Sequence, residues 1–239
     1  MKTKLDFDPR SFVGIAHRGY HNEAIPENSF AAFEAAVANN LMFECDVHLT
    51  KDGEVLISHD SDLLRMSGKP GKIEDLTLAE IRAEHKLPDG SDYPLLKDVI
   101  AMVNERVPMV VEIKVVDGNY KAVVDAVLPI ISAVKNPKNL TLISFDPRAL
   151  KRAKKCPFTR GLLICEEKKW VLIFRNQFDY LDIETTLVDN KTVINYRKKG
   201  GLVNVWTVET PEVLNHVKGK VDMITFQHLP LDAVKEAHQ

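Results

Sequence analysis

The chain has 239 residues, 45% of them hydrophobic and 28% charged, with a formal net charge of −2. That is the balance of an ordinary globular protein with room for a sizeable core, and it lacks the basic domain that a nucleic-acid binder needs. Three cysteines (Cys45, Cys156 and Cys165) without CxxC spacing speak against structural zinc and a disulfide framework. Met1–Asp8 has no signal-peptide core, and no run reaches the roughly 18–20 apolar residues of a membrane span. The expectation is a reduced, cytoplasmic protein without stable membrane association; homo-oligomerisation is left open.

Short apolar runs recur along the chain, most of them followed by an amphipathic segment of helix length. The predicted strands are Phe12–Ala16, Met42–Leu49, Met109–Ile113, Leu140–Ser144, Gly161–Ile164, Tyr180–Glu184, Leu202–Thr207 and Met223–Phe226. Predicted helices are Ser29–Asn39, Leu95–Glu105, Asn119–Val134, Pro147–Lys155, Lys168–Gln177, Asp189–Lys199, Glu209–Val217 and Leu231–Ala237. Ser29 and Asp146-Pro147 supply helix-start chemistry, and Gly200-Gly201 stops a helix. Eight such units in this length fit a TIM (β/α)8 barrel over residues 1–239, with a doubly wound open sheet as the competing arrangement. Lys51-Asp52-Gly53 predicts a hairpin turn into a further strand, Val55–Ser58. Residues 61–94, rich in Gly, Pro, Asp and Lys, break the rhythm with one helical piece, Leu78–Glu84. They predict a small inserted subdomain after the second strand, lying over one mouth of the barrel.

Polar residues stand where apolar ones are expected. Glu44 and Asp46 lie two apart in the second strand and so face one side, a costly pairing in a buried strand unless a cation offsets it. His17-Arg18 follows the first strand, His59 ends the hairpin, and Glu112 and Lys114 end the third strand. Ser144, Glu184 and Trp206 end later strands. In a barrel these ends converge on the C-terminal mouth, where active sites sit. Glu44, Asp46 and Glu112 are hard oxygen donors suited to one divalent ion, Mg²⁺ or Ca²⁺. Arg18 and Lys114 suit a phosphate, and His17 and His59 an acid/base pair. An exposed Glu112–Lys114 ion pair is the plainer alternative, but Val110-Val111 and Val115-Val116 around it argue for burial. Trp206 is read as core or as a wall of the substrate pocket, whereas His21, His48, His85, His216 and His228 are read as loop, outward or surface residues.

Ala16-His17-Arg18-Gly19, Pro26-Glu27-Asn28-Ser29, Glu44-x-Asp46-Val47, Thr50-Lys51-Asp52-Gly53 and His59-Asp60-x-x-Leu63 together resemble the glycerophosphodiester phosphodiesterase family. Glu112-x-Lys114, Ser144-Phe145 and Val205-Trp206-Thr207-Val208 continue the resemblance, in order, to residue 208. The resemblance implies a metal-dependent enzyme, with the ion on Glu44, Asp46 and Glu112, that hydrolyses deacylated phospholipids. The products would be sn-glycerol 3-phosphate and an alcohol. It implies His17 and His59 as acid and base, Arg18 and Lys114 on the phosphate, and attack by the neighbouring glycerol hydroxyl through a cyclic phosphate. Two positions depart from the family pattern: Ser29 replaces the usual Thr, and Phe226 follows Thr225 where Asp or Asn is usual, which predicts one polar group fewer at the mouth. The rival readings are a related barrel enzyme acting on intact phospholipid and a non-catalytic phospho-ligand binding protein.

Overall fold

Eight of the apolar runs pair side by side as parallel strands and close into a barrel. The computed structural model describes residue 10 and residues 13–237. The expectations for Met1–Asp8 and for Phe12 lie outside the described residues. The strands are β1 (Ile15–Ala16), β2 (Met42–Leu49), β3 (Val55–Ile57), β4 (Met109–Ile113), β5 (Leu140–Ser144), β6 (Thr159–Ile164), β7 (Tyr180–Glu184), β8 (Leu202–Val208) and β9 (Met223–Phe226). The hydrogen-bonded order runs β1-β9-β8-β7-β6-β5-β4-β2, and a β1–β2 pairing closes the ring. Strand β3 stands outside that ring as the antiparallel hairpin partner of β2.

The two-residue period of a strand sorts its side chains between two cores. On β2 the odd residues Phe43, Cys45 and Val47 join the apolar layer between barrel and helices. Met42, of the opposite parity, joins Ile15, Val110, Ile143, Leu163, Tyr180 and Met223 inside the barrel. Gly161 is needed there, because a Cβ on it would meet the Tyr180 ring at 2.3 Å. The parity that plugs the barrel floor with Met42 and Val110 carries Glu44, Asp46 and Glu112 above it, and the register sets Asp46 opposite Glu112. Outside, the helix Phe30–Ala38 is capped by Ser29 and stacks Phe33 on Phe43 with ring centroids 4.7 Å apart. Burying each ring is worth about 2 kcal/mol, which anchors β2 directly beneath its carboxylates.

Between β3 and the helix Leu96–Val103 the chain folds into two short helices, Leu64–Ser67 and Leu78–Glu84, joined by a 3-10 turn at Ile73–Asp75. Leu63, Ile73, Ile81, Leu87 and Tyr93 gather with Leu56 into a cluster of their own. A capping box of Thr77 and Glu80 starts the second helix. Two expectations fail here. His48 and His85 are buried, not surface residues, because this segment supplies their partners: Glu74 Oε1 lies 2.7 Å from His48 Nδ1, and Ser67 Oγ 2.9 Å from His85 Nδ1. A third failure lies farther along. Glu166–Gln177 forms 3-10 turns broken at Lys168, not the single predicted helix Lys168–Gln177. Trp170–Phe174 is a continuous apolar run that no single helical stripe can bury, so Val171 and Leu172 go inward and Trp170 and Ile173 stay exposed.

Candidate active site

The strand ends of one sequence set meet in a cavity of about 180 Å³, lined among others by His17, Arg18, Glu44, His59, Glu112, Lys114 and Trp206. Asp46 lies buried beside them. At the end of β1 the backbone turns through Arg18 (φ 52°) and Gly19 (φ 82°). A Cβ at Gly19 would fall 2.7 Å from that of Ala32, so only glycine lets the turn lie against the helix. The turn brings the Arg18 N–H within 3.0 Å of Glu44 Oε2. Asn28 Nδ2 donates to Asp46 Oδ2 at 2.8 Å, and Arg18 Nη1 donates to Glu27 Oε1 at 2.9 Å.

Ligand atoms of Glu44, Asp46 and Glu112 all lie within 4.8 Å of one another, and all three residues are buried. Lys114 Nζ sits 2.8 Å from both Asp46 Oδ1 and Glu112 Oε1. Burial alone would raise Asp46, but Lys114, then His59 and Arg18, hold its carboxyl well below the usual carboxylate range. Burial, with Asp46 and Glu112 as neighbours, pushes Glu44 far up. Burial and Asp46 raise Glu112 to about 7 against the pull of Lys114. Glu44 Oε1 is buried with no hydrogen-bond partner among the described residues. Three converging carboxylates, one with an orphaned oxygen, exceed what Lys114 and Arg18 neutralise; the donor set fits a hard divalent cation.

Both imidazoles are anchored through Nδ1. Gln227 Nε2 donates to Glu209 Oε1 at 2.6 Å, which turns Gln227 Oε1 toward His17 Nδ1 at the same distance. An amide oxygen only accepts, so His17 carries its proton on Nδ1 and leaves Nε2 as the acceptor. Burial and the neighbouring Arg18 lower His17 to about 3, so the ring is neutral. His59 Nδ1 lies 2.6 Å from Asp60 Oδ1. Burial, then Lys114, lowers His59 as well, opposed by Asp46 and Asp60.

Trp206 is half-buried and walls the cavity, its Nε1 donating to Asp182 O at 3.2 Å and its ring meeting Phe145 edge-on at 5.6 Å. Ser144 and Glu184 are spent on backbone: Ser144 Oγ donates to Ile113 O, and Glu184 Oε2 accepts the Glu166 N–H. Several residues at the site were not singled out from the sequence. Asp182, raised by burial to about 7, lines the cavity with Thr225, and buried Asn204 donates to both through Nδ2. Its signal was present, since a carboxylate between Leu181 and Ile183 is the same oddity as Glu44. Arg65, from the inserted segment, donates to Asp60 Oδ2 at 2.5 Å and to Glu27 Oε1 at 2.7 Å. Gln227 is another such residue, and Phe226 brings no polar group to the mouth. Phe226 is buried, its ring reaching Gly14, while the next residue supplies the polar group beside His17.

A parallel eight-stranded barrel with buried carboxylates, two cations and two anchored imidazoles at its C-terminal mouth defines a phosphate-ester enzyme class. The sequence profile of the Glycerophosphoryl diester phosphodiesterase family matches residues 17–234. A glycerophosphodiester phosphodiesterase of Caldanaerobacter subterraneus is 29% identical over 225 residues, covering 88% of this chain and 91% of that one. The crystal structure of a glycerophosphodiester phosphodiesterase from Thermotoga maritima superposes with a TM-score of 0.75 at 30% identity, over 94% of this chain and 96% of that one. A phosphodiesterase from Oleispira antarctica, solved with the product sn-glycerol-3-phosphate, superposes at 0.79 with 25% identity, over 93% and 95%. The chain belongs to the glycerophosphoryl diester phosphodiesterase family and is a phosphoric diester hydrolase. No helix among the described residues is long and apolar enough to cross a membrane.

Proposed function

We propose that the enzyme hydrolyses small glycerophosphodiesters to sn-glycerol 3-phosphate and an alcohol, with His17 as base and His59 as acid in the first step. One observation carries this reading: two Nδ1-anchored imidazoles share a cavity with Arg18, Lys114, Glu44 and Glu112, with Asp46 buried beside them to complete the carboxylate triad. The product held by the Oleispira antarctica structure supports it. We read residues 1–239 as one catalytic unit in which the 61–94 segment braces the mouth.

Glu44, Asp46 and Glu112 would hold the divalent ion, Mg²⁺ or Ca²⁺ by the hardness of their oxygens. When bound, that ion offsets the carboxylate repulsion and polarises a phosphate oxygen. Arg18 and Lys114 bind the remaining phosphate oxygens. His17 Nε2 takes the proton of the glycerol hydroxyl next to the ester as its oxygen attacks phosphorus. His59 protonates the alcohol oxygen as the P–O bond to it breaks, leaving a cyclic phosphate. His59 then takes a proton from water as that water attacks phosphorus, and His17 returns its proton to the glycerol oxygen that departs. Each imidazole thus ends as it began.

Phosphorus-31 NMR of a turnover mixture tests the route: a transient cyclic phosphate resonance preceding sn-glycerol 3-phosphate is expected. Direct appearance of product in enzyme-excess mixtures, with no cyclic species at any time, would replace the hydroxyl by water as first nucleophile. Turnover of intact diacyl phospholipid but of no glycerophosphodiester would instead favour the membrane-acting alternative.

A further inference from the structure

A second, wider cleft of about 720 Å³ opens beside the catalytic cavity. His59, Glu112, Lys114 and Phe145 line both spaces, whereas His17 lines only the first. Given the reaction proposed above, the alcohol that leaves under His59 exits into this second cleft, and the glycerol facing His17 stays in the first. The cleft therefore meets the part of the substrate that differs between glycerophosphodiesters.

Its charge is one-sided. The carboxylates on its wall are two, Glu112, which shares Lys114 with Asp46 at 2.8 Å, and Asp146, paired with Arg148 at 2.7 Å, against the four cations Lys114, Arg148, Lys151 and Lys168. Lys151 and Lys168 also line it; neither forms a salt bridge among the described residues, although Lys168 acts through space on Asp146 and Glu167. Their ammonium groups lie over the Phe174 ring at 4.5 Å and the Phe145 ring at 5.2 Å. A quaternary ammonium is recognised by free aromatic faces. Here lysines cover the Phe145 and Phe174 faces and would repel it, with exposed Trp170 carrying no lysine over its ring among the described residues, whereas an anion would find two ammonium groups on long, mobile stems.

We propose that this cleft is the leaving-alcohol subsite and that it selects glycerophosphodiesters whose alcohol carries a second anionic group over those with a choline or ethanolamine head. The inference rests on the hydrolase reading of the first cavity, so its test has a binding arm that does not need turnover. Three substrates differing in head charge are compared: glycerophosphocholine, glycerophosphoglycerol and glycerophosphoinositol 4-phosphate. In the wild type, kcat/KM for the anionic substrate should exceed that for the choline substrate about tenfold or more, the scale of two partly exposed charge contacts. In Lys151→Gln/Lys168→Gln that ratio should fall about tenfold while the neutral substrate changes less than about twofold. Calorimetric affinities of the same three compounds for His17→Ala protein, with and without the two lysine changes, should follow the same order. Failure of all three to turn over while the affinity order holds would overturn the proposed reaction of these diesters, and with it the leaving-alcohol role, and leave the cleft as an anion-selecting head-group site only. Equal or tighter binding of the choline compound, or a ratio that survives loss of both lysines, would overturn the subsite. So would loss, in the double variant, of co-sedimentation with phosphatidylglycerol vesicles without any change in head preference. That result would assign the lysines, with exposed Trp170, to a membrane surface.

Discussion

Gln227 shows how one side chain can set the state of another. Its amide is oriented by Glu209, and it fixes the proton of His17 on the nitrogen that faces away from chemistry. Gln227→Ala should therefore lower kcat about 10-fold or more with KM nearly unchanged, the usual scale for a residue that orients a functional one. Steady-state kinetics at saturating metal check this, and an unchanged kcat would show that His17 needs no such support. Residue-scale reading from sequence reached His17, Arg18, Glu44, Asp46, His59, Glu112 and Lys114, because each is a polar type in or next to an apolar strand. It missed Gln227, since a glutamine two residues past Thr225 carries no local sign of the partner 210 positions away. It misjudged His48 because the Glu74 that pairs with it stands on a segment whose fold the composition does not encode.

At the scale of elements, the inserted segment acts on the site through Arg65. One guanidinium holds Asp60, which anchors His59, and Glu27, which holds Arg18. Arg65→Ala should cut kcat/KM about 10-fold or more, and Arg65→Lys should restore little, because one ammonium cannot present the same two-sided fork. Thermal unfolding run beside the kinetics separates this from a folding defect; a variant of wild-type activity would detach the segment from catalysis. The turn after β1 is as demanding. Gly19→Ala meets both a positive φ and the 2.7 Å approach to Ala32, and should cost about 2–4 kcal/mol in urea unfolding. A loss under 1 kcal/mol would mean that the turn relaxes freely. These elements were legible to different degrees. The eight strands followed from their apolar runs, but the Glu166–Gln177 turns did not, because propensity could not show which of five consecutive apolar residues would find a core.

Across the whole molecule, the barrel buries more negative charge than a stable core alone would choose. Asp182 is raised by burial to about 7 from the ordinary range near 4. A raised carboxyl means that the folded state holds its proton where the unfolded chain has lost it, so Asp182 lowers stability as pH climbs from about 4 to 7. In EDTA, Asp182→Asn should be more stable than wild type by about 2–4 kcal/mol at pH 8, with the difference closing toward pH 4. Chemical denaturation at a series of pH values reads this directly, and a pH-independent difference would contradict it. The same logic applies to Glu44 and Glu112, which burial also raises, while Lys114, His59 and Arg18 hold Asp46 down; the proposed divalent cation on these three carboxylates would offset the repulsion left between them.

The most direct test of that claim is the rate of sn-glycerol 3-phosphate release from glycerophosphoglycerol in Mg²⁺, in Ca²⁺ and in EDTA, with His17→Ala run alongside. Activity in at least one metal is expected, abolished by EDTA and lowered about 10²–10⁴-fold by His17→Ala, the range for loss of an acid–base group. Full activity in EDTA, or in His17→Ala, would contradict the account.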